Sequence, residues 1–173
     1  GPLAGEEFDL KGWLISVGGD LNLQPADLHG QFFYASGDDD GVMDGDIDGW
    51  VSYPGASYYW SEIMGLGIFD NQSSNNSPDE RVSNIWAANL GATVKPIEKL
   101  SISLDIWYAQ LVEDVPTDNG EEEDELGTEV DLKITYELVD GLKLDVVGAY
   151  LFAGDATGED DPIEVGSRLS LSF

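Results

Sequence analysis

The chain contains no cysteine, which excludes disulfide bonds, thiolate catalysis and cysteine-ligated zinc. Basic residues are scarce, since 7 Lys and Arg stand against 35 Asp and Glu for a net charge of −28. That charge repels nucleic acid, so nucleic-acid binding is excluded. No apolar run approaches the roughly 20 residues of a membrane helix. The N-terminal stretch GPLAGEEFDL lacks the basic start and apolar core of a signal peptide, so any export signal lies upstream or has been removed.

The residues that are present indicate a folded chain. Apolar residues make up 42% of it, with 5 Trp, 7 Tyr and 6 Phe, which is far more than disordered segments contain. A length of 173 residues suffices for one domain with a full core, or for a single small barrel. No second domain is required.

Apolar and polar residues alternate along seven segments, which predicts seven β-strands. In the clearest segment, Leu100, Ile102 and Leu104 fall on one side, while Ser101 and Ser103 fall on the other. The segments are longer than the about 5 or 6 residues that are usual in soluble sheets. The predicted strands cover residues 12–23, 27–37, 81–94, 99–113, 128–138, 141–153 and 163–173.

The connections between these strands alternate in length. Short turns at 24–27, 95–98 and 139–141 alternate with long acidic loops at 38–80, 114–125 and 154–162. Outer-membrane barrels combine short periplasmic turns with long extracellular loops. We therefore predict an all-β fold, a transmembrane antiparallel up-and-down β-barrel.

Seven strands cannot complete such a barrel, because single-chain bacterial barrels have an even number of strands. An open edge would also leave backbone groups unsatisfied in lipid. The chain is accordingly predicted to be the C-terminal part of a larger barrel, unless loop 38–80 holds further strands. An upstream segment or an additional chain would then complete it.

The end of the chain resembles the C-terminal signal by which the barrel-assembly machinery recognises outer-membrane proteins: a terminal Phe173 follows Leu171 and Leu169 at alternate positions. Four further stretches are similar to the C-terminal half of alginate-export-type porins. The resemblance implies a channel-forming monomeric barrel in the bacterial outer membrane, larger than this chain. These stretches are YASGDDD (34–40), YYWSEIMGLG (58–67), IWAANLGATVKP (85–96) and VVGAYLFAGDA (146–156).

The polar positions of the strands are the predicted lining of the lumen. Acidic residues outnumber basic ones there, so the lumen should favour cations or neutral solutes over polyanions. Alginate-exporting porins have a strongly basic pore, which makes alginate a poor candidate for this chain. The predicted function is passive diffusion or export of small or saccharide solutes. The lumen-lining candidates are Lys11, Asp20, Asp105, Glu129, Asp131, Lys133, Lys143, Asp145, Glu164 and Arg168.

The stretch 44–49 (DGDIDG) matches the first half of a calcium-binding loop, in which alternate carboxylates converge on the cation. The twelfth position is Gly55, where such a loop has a bidentate glutamate, although nearby carboxylates could supply the missing oxygens. A solvated acidic loop explains the pattern equally well. The candidate ligands are Asp38, Asp40, Asp44, Asp46 and Asp48.

Aromatic residues near the strand ends are candidates for the girdles at the two membrane interfaces, namely Trp86, Trp107, Tyr108, Tyr136 and Tyr150. Core packing in a soluble sandwich would explain them too. Two alternatives therefore stay open: a secreted, calcium-stabilised β-sandwich that binds carbohydrate, and a structural or adhesion barrel with a plugged lumen. No catalytic triad can be assembled around the single His29, and paired carboxylates are too abundant to indicate a glycosidase, so an enzyme is not predicted.

Overall fold

The computed structural model describes residues 9–39, 46–51, 60–65, 82–117, 120–158 and 160–173. These residues form a small parallel pair of strands and one large antiparallel sheet. No helix long and apolar enough to cross a membrane occurs among them. In chain order the strands are β1 (Asp9–Leu10), β2 (Leu14–Asn22), β3 (Ala26–Ala35), β4 (Asp46–Ile47), β5 (Ile85–Ile97), β6 (Leu100–Pro116), β7 (Glu122–Val139), β8 (Leu142–Ala153) and β9 (Ile163–Leu171).

The large sheet has seven strands in the order β2-β3-β5-β6-β7-β8-β9, and each pairs antiparallel with the next. The predicted all-β fold with antiparallel pairing is confirmed. Strands β2 and β9 are the two edges, and within the described ranges no pairing joins them into a closed barrel. The remaining pair, β1 with β4, brings Asp9–Leu10 beside Asp46–Ile47.

The acidic connection between β6 and β7 is shorter than predicted. The prediction of a loop over 114–125 is wrong at both ends. The two strands continue past a bulge, and Val115 pairs with Glu123. The described part of the turn is closed by Thr117, whose N–H donates to the carbonyl of Glu121 at 2.9 Å. Backbone pairing therefore extends into a run of like charges that, by composition, indicated a solvated loop.

Strand β5 begins later than the predicted residue 81. Asn84 has a φ of 52°, in the left-handed region, which breaks the extended conformation just before Ile85. Its N–H donates to the carbonyl of Ser36 at 3.1 Å, and its side-chain amide donates to the carbonyl of Glu113 at 3.0 Å. These bonds tie the start of β5 to the neighbouring strands.

The two faces of the sheet differ in polarity and in exposure. One face, the apolar face, carries exposed aliphatic side chains in register across the strands, such as Leu28, Leu104 and Leu132. The opposite face, the polar face, carries most of the buried residues. A hydrophobic cluster of Phe33, Ala35, Ile85, Ala87, Trp107 and Ala109, together with Val82, lies at the end of the polar face nearest the long connections. Trp50, Trp60, Met64 and Leu126 pack against it.

Candidate functional site

Charged side chains occupy the polar face in rows that run across the strands. One row places His29, Gly91, Asp105 and Asp131 at partnered positions on β3, β5, β6 and β7. Nine of the predicted lumen-lining residues lie on this face by register: Asp20, Asp105, Glu129, Asp131, Lys133, Lys143, Asp145, Glu164 and Arg168. The tenth candidate, Lys11, lies outside the sheet and forms an ion pair with Asp46.

A polar network crosses three strands at one end of this face. His29 Nε2 lies 2.6 Å from Asp105 Oδ1, and Asn89 Nδ2 donates to the same oxygen at 3.1 Å. Ser103 Oγ donates to Asp105 Oδ2 at 3.0 Å. The hydroxyl therefore orients the carboxylate and is not activated by the imidazole, so this is not a nucleophile–base pair.

Gly91 makes this network possible because it stands between His29 and Asp105 in the register. A Cβ at that position would collide with His29 Nε2 and with Asp105 Oδ1. The two side chains thus meet across β5 over a residue without a side chain. The alternation of polar and apolar residues did not predict the contact between His29 and Asp105. The feature of the sequence that could have indicated it is the glycine at the partnered position of β5.

A short stretch of the connection before β5, Trp60–Gly65, lies on the polar face, and we call it the inserted segment. The Trp60 ring meets Phe33 edge-on at 5.3 Å and Trp107 at 5.1 Å between centroids. Ala87 and Ala109, fully buried beside these rings, leave room for them. Aromatic pairs in this geometry attract beyond the area that they bury.

Glu129 binds the inserted segment through both oxygens of its carboxylate. The N–H of Ile63 donates to Oε1 at 2.7 Å. The N–H of Met64 and the hydroxyl of Ser61 donate to Oε2, at 2.8 and 3.1 Å. Glu129 is 0% exposed, and a buried carboxylate is tolerated only with such partners.

Asp131 takes part in the same attachment, since the N–H of Glu62 donates to its Oδ2 at 3.3 Å. Residues 129 and 131 were predicted as lumen-lining candidates, and the inserted segment covers them. The pattern of alternating residues places a side chain on a face, and it carries no information about a distant segment that folds over that face. Both carboxylates are therefore structural, because they hold the inserted segment on the polar face.

A separate polar cluster involves β7, β8 and β9. Thr135 donates to Asp145 Oδ1 at 2.6 Å, and Arg168 Nη2 lies 3.5 Å from Asp145 Oδ2. Asp145 is buried, so the hydroxyl and the guanidinium compensate its loss of hydration. Of the basic lumen-lining candidates in the sheet, Lys133, Lys143 and Arg168, the last is thus engaged by an acid.

The aromatic residues divide between the two faces. Trp86 contacts Phe32 and Tyr108 on the apolar face, with ring centroids 6.2 and 5.5 Å apart. Tyr150 and Tyr136 occupy the same face by register. The girdle prediction for Trp107 is wrong, because this ring points to the polar face and is buried against Phe33 and Trp60.

The acidic stretch considered for calcium is only partly within the described residues. Asp46 is paired with Lys11, and the carbonyl of Asp48 accepts a hydrogen bond from Ser36 Oγ at 2.6 Å. Asp38 lies against Gly49. Two further candidates, Asp40 and Asp44, lie outside the described residues. No group of three or more acidic or histidine side chains that could hold a metal is formed within the described ranges.

The residues of the predicted assembly signal lie at the edge of the sheet. Leu169 and Leu171 are exposed on the apolar face of β9, and Phe173 follows the strand. No protein-family model matches this chain, and no curated protein matches it. The resemblance to alginate-export-type porins therefore stays a prediction from the sequence.

Proposed function

We propose that the chain is part of a β-barrel channel in the bacterial outer membrane, of the porin or alginate-export type, through which small or saccharide solutes pass. The observation that carries the proposal is the distribution of burial across the sheet. On the apolar face, Leu90 is 68% and Val165 is 77% exposed, whereas Glu129 and Asp131 on the opposite face are 0% and 6% exposed.

A soluble protein arranges its sheets in the opposite way. In a sandwich the aliphatic face is covered by a second sheet, and a contiguous exposed apolar patch is avoided. In a membrane barrel the aliphatic side chains contact lipid and the polar side chains line the interior. The inverted burial of this sheet favours the second arrangement.

The edges of the sheet support the same proposal. Strands β2 and β9 would each present unpaired backbone groups to lipid, at a cost of several kcal/mol per group. Further strands, from an upstream segment or another chain, therefore pair with these edges. Leu169, Leu171 and Phe173 on β9 and after it would be recognised by the barrel-assembly machinery.

The charges of the polar face determine the expected selectivity. Acidic side chains predominate there over Lys133, Lys143 and Arg168, and Arg168 is engaged by Asp145. An acidic lining attracts cations and repels polyanions. We expect passage of cations and neutral saccharides.

Planar-bilayer recording of the complete barrel, folded in detergent together with the strands that pair with β2 and β9, tests the proposal. We expect discrete conductance steps and a reversal potential that indicates cation preference in a salt gradient. Clear anion selectivity would contradict the assignment of the lining.

The inserted segment favours one second candidate, a structural or adhesion barrel with a plugged lumen. Trp60–Gly65 lies on the face that would line the lumen, where it narrows the interior. A folded, membrane-inserted protein that shows no conductance would support this candidate over the channel.

A further inference from the structure

We propose that Glu129 is the main positioning residue that holds the inserted segment inside the barrel, so that the open cross-section of the lumen depends on its carboxylate. The proposal rests on the proposed function for its consequence, the conductance. The attachment itself can be measured without any conductance. Its basis is the set of contacts between Trp60–Gly65 and strand β7.

Four hydrogen bonds join the described residues of the inserted segment to carboxylates of β7. Glu129 accepts from Ser61, Ile63 and Met64, and the neighbouring Asp131 accepts from Glu62. The segment forms a turn, which is closed by a hydrogen bond of 2.8 Å from the N–H of Gly65 to Ser61 Oγ. Successive N–H groups of a turn that converge on one point form an anion-binding concavity, and Glu129 is its anion.

Both oxygens of the Glu129 side chain accept hydrogen bonds, so glutamine, which has the same shape, cannot make the same contacts. Oε1 accepts from Ile63, and Oε2 accepts from Met64 and Ser61. Glutamine has only one acceptor oxygen, and its NH₂ group is a donor. In either orientation, that NH₂ group would face the N–H of Ile63 or of Met64. Glu129→Gln therefore disrupts the attachment without creating a cavity.

The second attachment of the segment is apolar and does not depend on charge. Trp60 packs on Phe33 and Trp107, and Met64 packs against the same cluster. This attachment fixes one end of the segment on the sheet. When the carboxylate is lost, Trp60 should therefore keep the segment on the sheet, while residues 61–65, including the partly buried Met64, separate from β7 more often and the protein remains folded.

Asp145→Asn provides the matched control. It removes one acidic charge from the same face, but Asp145 contacts Thr135 and Arg168 and not the inserted segment. A general effect of the lumen charge would appear in both variants. Release of the segment should appear only in Glu129→Gln.

The experiment uses a single reporter cysteine, because the chain has none of its own. Met64→Cys is introduced alone, with Glu129→Gln and with Asp145→Asn, and each protein is folded in detergent and checked by its heat-modifiable gel shift. A maleimide then measures how often residue 64 leaves the cluster. We expect alkylation at least about tenfold faster with Glu129→Gln, the equivalent of one charged hydrogen bond, and an unchanged rate with Asp145→Asn.

Conductance recordings complete the test. In the Glu129→Gln protein, single-channel conductance should exceed that of the unmutated protein. Equal alkylation rates in all three folded cysteine variants would overturn the role of Glu129. Faster alkylation with Glu129→Gln, in a protein that never conducts, would support the role of Glu129 and contradict the proposed channel.

Discussion

Replacing Leu132 with lysine should destabilise the folded protein in a bilayer by about 2–4 kcal/mol, because this side chain would lie near the middle of the lipid-facing band. Leu132 projects from the apolar face of β7, between Leu104 and Gly148 in the register. A lysine there must bring its ammonium group into hydrocarbon or extend it to the interface.

Leu138 on the same strand provides the control. Leu132 and Leu138 are both 42% exposed, so a soluble sheet would treat the two substitutions alike. Leu138 lies about 20 Å further along β7 at ~3.3 Å per residue. With a strand tilt of about 40°, this corresponds to roughly 15 Å along the membrane normal. Because the apolar band is ~25 Å thick, a residue that far from the middle of the band lies outside it, at the interface. Leu138→Lys should therefore cost less than about 1 kcal/mol.

Urea unfolding of both variants in phospholipid vesicles measures the difference, with the heat-modifiable gel shift as the probe of folding. Equal costs for Leu132→Lys and Leu138→Lys, to within about 0.5 kcal/mol, would refute contact between the apolar face and lipid.

Three further predictions concern the polar face and the acidic hairpin. Gly91→Ala should lower the free energy of unfolding by about 1–3 kcal/mol, and by less when His29 is also alanine; additive costs in the double-mutant cycle would contradict the pairing across β5. Phe33→Ala should lower it by about 3–5 kcal/mol, because this ring is 1% exposed; a cost below about 1 kcal/mol in urea unfolding would be inconsistent with its place in the aromatic cluster. Burial, and then the carboxylate of Asp155, raise the pKa of Glu123, which lies at the start of β7 and pairs with Val115 beyond the bulge. The folded hairpin therefore favours protonated Glu123, and its stability is present at low pH and lost as the pH rises through the raised pKa. Amide exchange in the hairpin, corrected for its intrinsic pH dependence, should slow as the pH falls, and Glu123→Gln should remove this effect.

The strands could be predicted from the sequence because each has two chemically distinct faces. Alternation placed one strand at 141–153, and β8 runs from Leu142 to Ala153. Asp140 and Gly141 form the turn before it, and Gly141 has a φ of 77°, which glycine adopts without strain. The local pattern and the local backbone requirement agree at this turn.

The features that the sequence did not indicate depend on residues far apart in the chain. Trp107 was assigned to a girdle by its residue type, but its partners Phe33 and Trp60 lie in other parts of the chain. The cover over Glu129 comes from residues more than sixty positions earlier. The extension of β6 and β7 was missed because a run of like charges does not alternate in polarity, whereas backbone pairing does not require alternation.

Folding of the purified protein with and without detergent, followed by the heat-modifiable gel shift, tests the membrane assignment most directly. Because the aliphatic side chains of the apolar face are exposed and acidic side chains of the polar face are buried, we predict a compact, heat-modifiable form that appears only in detergent or lipid. Complete folding in plain buffer would show that other protein covers the apolar face. That result would contradict the membrane barrel and favour a secreted, calcium-stabilised β-sandwich.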